Sequence, residues 1–195
     1  FSLRQGVVGL VVGRVPATLE LAGLALAIAM ALGVGIAVVA TLVRGRWLET
    51  LIDNVNGLVL AVPDFIWALL FVLVLGVLWP VLPISGRVDP RLDLDLASNF
   101  YLLEAFFTGQ IKLVGHLLTH MIMPAVALAL PLAAIIARVM KGALQEAMMQ
   151  DYVVLARIKG FSNLRIVLQE AMRNAVVPVL SLTGVQFTFL VGGTV

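Results

Sequence analysis

Charged residues are scarce in this sequence. They make up 12% of its 195 residues, while hydrophobic residues make up 62% and the mean hydropathy is +1.09. A soluble domain carries about 25% charged residues, so a surface this poor in charge would not stay dispersed in water. The composition therefore predicts a protein whose solvent is lipid. The net charge of +2 comes from few charges and does not indicate nucleic-acid binding.

Several chemical signals are also missing. There is no cysteine, which excludes disulfides, thiolate metal sites and a cysteine nucleophile. The sequence lacks the G-x-x-x-x-G-K-[ST] loop that cradles the phosphates of ATP, and the G-x-S-x-G turn that carries a hydrolase serine. We therefore predict that the chain is not an enzyme and holds no cofactor or metal of its own. It begins at Phe1 without a methionine and ends within an apolar run, so we expect further residues at both ends.

Four apolar stretches are long enough to cross a membrane, since a spanning helix needs about 20 mostly apolar residues. They are approximately residues 19–43, 57–82, 117–137 and 174–195. Alternation of apolar and polar residues with period two is absent, so the pattern predicts an all-α, polytopic membrane protein.

The basic residues predict how these spans are oriented. Eight of the 13 Lys and Arg residues lie in segments 44–56 and 138–173. Positive residues favour the cytoplasmic side. We therefore expect these two segments in the cytoplasm, with residues 1–15 and 83–116 on the opposite side.

The segment 138–173 contains nine charged residues, and inserting them into a bilayer would cost on the order of 25 kcal/mol. Its strong helix formers nevertheless predict a helix up to Lys159. Gly160 is placed for a left-handed helix end, and Ser162 for the cap of a second helix. One interpretation is a plain hairpin between two spans. However, its length of about 36 residues exceeds the 2–8 of a simple connection, and this favours a surface for a partner.

Residues 151–195, DYVVLARIKGFSNLRIVLQEAMRNAVVPVLSLTGVQFTFLVGGTV, resemble the EAA loop region of the inner-membrane permeases of ATP-binding-cassette (ABC) importers. The branch they resemble is the dipeptide, oligopeptide and nickel family, with its D-Y-V-x-x-A-x-x-K-G run, its R-N-A-x-x-P and a closing G-G. The matching positions are Asp151, Tyr152, Val153, Ala156, Lys159, Gly160, Arg173, Asn174, Ala175, Pro178, Gly192 and Gly193. Val154 and Leu155 replace the first two letters of the general E-A-A triplet, as is usual in the peptide branch. Further likeness lies in residues 14–22, 44–53, 62–70 and 123–146.

This resemblance implies a type I importer permease, with residues 1–195 as a single transmembrane domain that holds four of six expected spans. It implies a bacterial or archaeal inner membrane, and residues 138–173 as the cytoplasmic coupling region. The implied partners are ABC ATPase subunits that bind and hydrolyse ATP, a second permease subunit, an extracytoplasmic solute-binding protein, and lipid. The solute would be a peptide, nickel, glutathione or an oligosaccharide, and the sequence does not distinguish among them.

The same resemblance implies which residues dock on the ATPase. They are Asp151, Tyr152, Ala156, Ile158, Lys159, Gly160 and Ser162. Tyr152 and Ile158 would fill the ATPase cleft, although Tyr152 and Ile158 can equally pack inside the hairpin. Lys159 and Asp151 would pair with charges of the cleft or lie on a solvated face.

Four other polar side chains lie at or within the predicted spans. Asp64 and the preceding Pro63 are candidates for the translocation pathway, because ionisable groups inside spans are commonly functional and Pro63 frees a backbone carbonyl. The alternative for Asp64 is a position near the cytoplasmic interface that water reaches. For Glu20 we favour stabilisation by the N-terminal dipole of its own helix. His116 and His120, four residues apart, suit a metal pair by spacing, but interfacial histidines are the more common case.

Two other classes of protein compete with the permease interpretation. A secondary transporter or channel would run on an ion gradient. It would have charged relays or broken repeat helices at the membrane midplane, and Asp64 is the one residue that approaches this pattern. For a membrane serine protease, the candidate catalytic residues would be the serine of Ser85-Gly86 and the two histidines.

Overall fold

The computed structural model describes residues 7–84, 86–88 and 98–193, and every regular element in them is helical. The helices are α1 (Val7–Leu42), α2 (Trp47–Ala61), α3 (Asp64–Phe71), α4 (Tyr101–Phe107), α5 (Ile111–Ala147), α6 (Asp151–Ile158), α7 (Asn163–Arg165) and α8 (Met172–Gly193). Val72–Leu78 continue α3 as a π-helical segment, and Ile166–Ala171 form another between α7 and α8. The predicted all-α class is confirmed.

Within the described residues, three helical stretches are long and apolar enough to cross a membrane: Val12–Leu42, Ile111–Ala147 and Asn163–Gly192. The broken pair Trp47–Ala61 and Asp64–Leu78 brings the number to four if it counts as one span. Helix α5 has 37 residues and is about 55 Å long, against about 30 Å of hydrocarbon in a bilayer. Part of α5 must therefore project from the apolar layer, and its charged end from Arg138 onward is the part that does so at least cost.

The second predicted span is wrong as a single helix. Helix α2 ends at Ala61, Val62 is extended with φ −96° and ψ 122°, and α3 begins at Asp64. Pro63 is the reason, because proline has no N–H for the helical ladder and disfavours the helical conformation in the residue before it. The helix also begins ten residues earlier than predicted, at Trp47.

The residues of the chain cluster into two compact units, which are described separately. The first contains residues 1–25, 65–128 and 187–195, and the second contains residues 26–64 and 129–186. In the second unit a Cβ added to Gly33 of α1 would lie 2.7 Å from the carbonyl oxygen of Ala133 in α5. The backbones of α1 and α5 therefore approach closely at a glycine, as helices in membranes often do.

In the first unit, Glu20 holds the start of another helix. It is the fourteenth residue of α1 and is buried, so the expected interaction with the N-terminal dipole of its own helix is wrong. Its Oε1 accepts hydrogen bonds from the N–H groups of Leu102 and Leu103 at 2.8 and 3.1 Å. These are two of the N–H groups that α4 cannot satisfy within itself. Glu20 therefore caps α4 from 82 residues away.

Arg87 completes this cluster. Its Nη2 donates to Oε2 of Glu20 at 2.6 Å and to the carbonyl oxygen of Asn99 at 2.8 Å, and its guanidinium lies 4.0 Å from the centre of the Tyr101 ring. The buried carboxylate thus has both a cation and two backbone donors, which is what a charge removed from water requires. Residues 89–97, which belong to the predicted outer segment 83–116, lie outside the described residues.

Candidate functional site

The polar segment between the third and fourth predicted spans folds into a helical hairpin in the second unit. Helix α5 ends at Ala147, residues 148–150 form a turn, and α6 begins at Asp151. The predicted uninterrupted helix up to Lys159 is therefore wrong. No Gly or Pro marks this break. Folding back lets Val153 and Ala156 bury against Ile166, and this tertiary packing outweighs the helix propensity of the connecting residues.

The hairpin has a small apolar core of its own. Val153, Ala156 and Ile166 are buried in it, and Met148, Tyr152 and Phe161 pack around them. Ala156, which the family resemblance placed among the docking residues, is therefore an interior residue of the hairpin. Because α6 has only eight residues, this packing and the backbone hydrogen bonds at its C-terminal end are what keep it helical.

Gly160 forms the bend at the end of α6, as predicted. Its φ is +78°, in the left-handed region that glycine enters without a steric penalty. The N–H of Gly160 donates to the carbonyl of Arg157 at 2.9 Å, and the N–H of Phe161 donates to that of Ala156 at 3.2 Å. This pair of bonds is the Schellman motif, and the contact of Phe161 with the core is its usual apolar partner.

Ser162 caps the next helix, as predicted. Its backbone is extended, and its Oγ accepts a hydrogen bond from the N–H of Arg165 at 3.4 Å. Arg165 also stacks 4.0 Å from the centre of the Phe161 ring and donates through Nε to Gln169 at 2.9 Å. The bend is therefore fixed on both sides by neighbouring residues.

The outer face of the hairpin is apolar and exposed. Ile158 is 78% exposed and Leu155 52%, and both lie on the side of α6 opposite Val153 and Ala156. Leu164 and Leu168 are exposed in the following helical segment. Large apolar side chains presented to water at the tip of a charged segment indicate an interaction surface. We call these four residues the outer face.

The remaining predicted docking residues separate into two groups. Tyr152 lies on the inner side, where its Oη accepts a hydrogen bond from Nδ2 of Asn174 at 3.0 Å and ties α6 to the start of α8. Asp151 and Lys159 are exposed at the two ends of α6. Asp151 lies in the first turn of α6, where the helix dipole stabilises a negative charge.

A second polar cluster, which the sequence did not reveal, joins α2 to α5. Nζ of Lys141 contacts Oε1 of Glu49 at 2.8 Å and the two carboxylate oxygens of Asp53 at 2.7 and 2.8 Å. One turn further along α2, Nδ2 of Asn56 donates to the carbonyl of Ala134 at 2.9 Å. The three α2 residues recur at helical spacing, and that stripe is the only signal the sequence offers.

The ionisation of this cluster follows from its contacts. The hydrogen bond from Lys141, followed by that from the Gly45 N–H, lowers the pKa of Glu49 from its ordinary value. Partial burial alone would lower the pKa of Lys141, but its hydrogen bonds to Asp53 and Glu49 outweigh this and raise it. Glu49 and Lys141 lie in the polar segments 44–56 and 138–173, and both are charged near neutral pH.

Pro63 and Asp64 stand at the break between α2 and α3. Both are exposed, and Asp64 is the first residue of α3. A carboxylate in the first turn of a helix is stabilised by the helix dipole. The position at a helix break fits both interpretations of Asp64, as a pathway residue and as a residue reached by water from an interface.

His116 and His120 face one another in the first unit, with ring centres 4.6 Å apart. Nδ1 of His120 is 2.9 Å from the carbonyl oxygen of His116. His120 also lines a cavity of about 250 Å³ together with Ile84, Met123 and Pro124. Across residues 7–84, 86–88 and 98–193, no group of three or more His, Cys, Asp or Glu side chains is placed to hold a metal ion.

Residues 21–195 match the family described as "Binding-protein-dependent transport system inner membrane component". That match covers the hairpin, the α2–α5 cluster and all four candidate spans, apart from the first residues of α1.

Curated relatives carry peptide-transport names. The chain is 33% identical over 194 residues to the di/tripeptide transport system permease protein DppB of Pseudomonas aeruginosa, which covers 100% of this chain and 58% of the relative. It is 32% identical over 190 residues to the dipeptide transport system permease protein DppB of Escherichia coli K12, covering 94% and 55%. It is 36% identical over 183 residues to the probable D,D-dipeptide transport system permease protein DdpB of the same strain, covering 92% and 53%. The chain thus spans a little over half the length of these relatives.

Proposed function

Since this chain belongs to the family of binding-protein-dependent transport system inner membrane components, a multi-pass inner-membrane family, we propose that it is part of the permease of an ATP-driven importer of short peptides. The helical spans support the permease role, and the names of the three relatives support the solute class. ATP binding and hydrolysis belong to separate subunits in this proposal. A second permease subunit and an extracytoplasmic binding protein complete the assembly.

The outer face carries the proposal of coupling. A helix of eight residues inserts into a groove through a few apolar anchors on one side, and Ile158 and Leu155 are such anchors. Asp151 and Lys159 at the rim of the same helix are available for pairing with charges of the groove. Tyr152 contributes by holding the hairpin together and not by contacting the ATPase, because it packs on the hairpin core and accepts a hydrogen bond from Asn174.

The path of force follows from the connections of the hairpin. Helix α6 is joined to the start of α8 by the Tyr152–Asn174 hydrogen bond, and it shares its core with the segment Ile166–Ala171 that runs into α8. When two ATPase subunits close and carry the docked hairpins together, α8 follows as a rigid extension. Rigid-body rocking of spans then exposes the solute path to alternate sides.

A substitution at Ile158 tests the docking. In the full-length permease expressed with its ATPase subunits, Ile158→Asp should abolish co-purification of the ATPase, because it places a charge where an apolar anchor is buried. Ile158→Met, which keeps the surface apolar, is the matched control and should retain the ATPase. Since Ile158 is 78% exposed, neither change should alter thermal stability. Full retention of the ATPase by Ile158→Asp would refute the docking.

The energy source is tested by transport in sealed vesicles. Uptake of a labelled dipeptide in the presence of the binding protein should require ATP and should continue when an ionophore collapses the proton gradient. Uptake that stops when the gradient is collapsed, and that does not depend on ATP, would instead establish a secondary transporter.

A further inference from the structure

An open apolar groove lies in the second unit, where α1, α2 and α5 meet. Its volume is about 550 Å³, within the range of small-molecule sites, roughly 300–1,000 Å³. Its walls include Leu32, Val39, Val55 and Val59, and Asn56 is the one polar residue among those that line it. The amide of Asn56 already donates a hydrogen bond to the carbonyl of Ala134. This bond is kept when an apolar ligand fills the groove.

A polar pocket of about 290 Å³ continues this groove. The two cavities share Ile36, Ile52 and Asn56, so they adjoin. The pocket is lined by charges of both signs, Arg138 and Lys141 on α5 and Asp53 on α2. Lys141 pairs with both Glu49 and Asp53. These three groups carry one excess negative charge, and Arg138 in the same pocket is exposed.

The two cavities follow one another in the same direction along both long helices. On α1 the groove begins at Ala31 and the pocket reaches Ala40, and on α5 the groove begins at Leu130 and the pocket reaches Gln145. Between Leu130 and Lys141 the helix rises about 16 Å. An apolar channel therefore opens into a site with a separate cation and anion, and its charged end lies toward the segments that the sequence predicts in the cytoplasm.

We propose that this site binds one phospholipid with a primary-amine headgroup, of the phosphatidylethanolamine class. An acyl chain lies in the groove, the phosphate contacts Arg138, and the ammonium group donates to the carboxylate of Asp53, which keeps free lone pairs beyond its bonds to Lys141. A choline headgroup has no N–H to donate, and a glycerol headgroup brings no cation, so the mixed charges select the amine. The proposal depends on the chain being in a membrane and not on the ATPase coupling.

Native mass spectrometry of the full-length permease in its purified complex tests the headgroup. After delipidation, the complex is titrated with phosphatidylethanolamine, phosphatidylcholine and phosphatidylglycerol that carry the same acyl chains. We expect the ethanolamine lipid to bind about tenfold more tightly than the choline lipid, which is the effect of one charge-assisted hydrogen bond. Equal binding of all three lipids would overturn the proposal.

Three substitutions locate the lipid. Asp53→Asn should erase the preference for ethanolamine over choline, while Glu49 keeps Lys141 paired. Arg138→Gln should weaken binding of every phospholipid, and Arg157→Gln, an exposed cation of α6, is the matched control that should leave it unchanged. Val55→Trp, which fills the groove, should lower retention of all three lipids.

A photo-reactive amino acid at Val55 identifies what covers the groove. In native membranes it should label phospholipid. Labelling of another protein segment, whether of this chain or of a second permease subunit, would show that the groove is a protein interface and would reject the lipid site.

Discussion

Two short helical segments of this molecule are held at their N-termini in different ways. Helix α4 is capped by Glu20, a buried carboxylate 82 residues distant that is itself held by Arg87. The segment after the bend of the hairpin is capped by its own Ser162, directly after the Schellman motif that ends α6 at Gly160. The first arrangement depends on burial of charge. The second uses only neighbouring residues, and it leaves the outer face free for a partner.

The contrast predicts its largest effect at Glu20. Glu20→Ala leaves Arg87 without its carboxylate and two N–H groups of α4 without an acceptor. We therefore expect the free energy of unfolding to fall by about 3 kcal/mol. The measurement is the thermal unfolding of the purified full-length protein in detergent. Glu20→Gln, which keeps a carbonyl acceptor for the two N–H groups, should lose less. An unchanged melting temperature for Glu20→Ala would mean that the cluster contributes nothing to stability.

A smaller effect is expected at Gly160. A Cβ there would meet nothing within 4 Å, so Gly160→Ala carries only the backbone penalty of the left-handed conformation, about 1–2 kcal/mol. Hydrogen exchange should show faster exchange of the Phe161 amide, whose bond to Ala156 depends on the bend. Gly160→Asn is the control, because asparagine enters this conformation more readily. Slower or unchanged exchange in the alanine variant would contradict the assignment of the motif.

Ser162→Ala should cost about 1 kcal/mol, the usual effect of removing an N-cap oxygen. The loss should appear as local opening of the segment Asn163–Ala171 in hydrogen exchange, while the exchange of α4 stays unchanged. Ser162→Thr keeps the hydroxyl and should behave almost as the parent. If α4 also opened, the two caps would not be independent.

The smallest effect concerns pH. The pKa of Glu49 is lowered in the folded protein, so the stabilisation it provides is complete above its ordinary pKa of 4.5 and is lost as the pH falls through the lowered value. Exchange of the α2 amides should therefore quicken only below about pH 4.5. Glu49→Gln should remove this contribution to the pH dependence, and a quickening that begins near pH 6 would point to another group.

What the sequence predicted follows from how far each interaction reaches. Gly160 and Ser162 act on backbone groups within four residues, so their residue types alone identified the bend and the cap. The apolar spans are likewise local runs of residues. The break in the second run is also local, because the ring of Pro63 leaves no N–H for a helical hydrogen bond. The length of the apolar run predicted one continuous span, whereas the proline within it ends the helix.

The features that the sequence did not reveal depend on distant partners. The sequence predicted that Glu20 interacts with the dipole of its own helix, because nothing near it in the sequence indicates α4 or Arg87. The contact between Lys141 and Asp53 joins residues 88 positions apart. The turn at residues 148–150 contains no helix breaker, and it forms because Val153 and Ala156 find their core against Ile166.

The proposed role of the outer face is tested most directly by site-specific crosslinking. Residues 1–195 contain no cysteine, so Ile158→Cys adds the one thiol of this stretch, and the full-length permease without the substitution is the background control. A short thiol crosslinker in native membranes should join this thiol to the ATP-hydrolysing subunit. Phe107→Cys, equally apolar and 82% exposed on α4, should give no such product. Absence of the crosslink from Ile158→Cys, or an equal yield from Phe107→Cys, would contradict the assignment of the outer face as the docking surface.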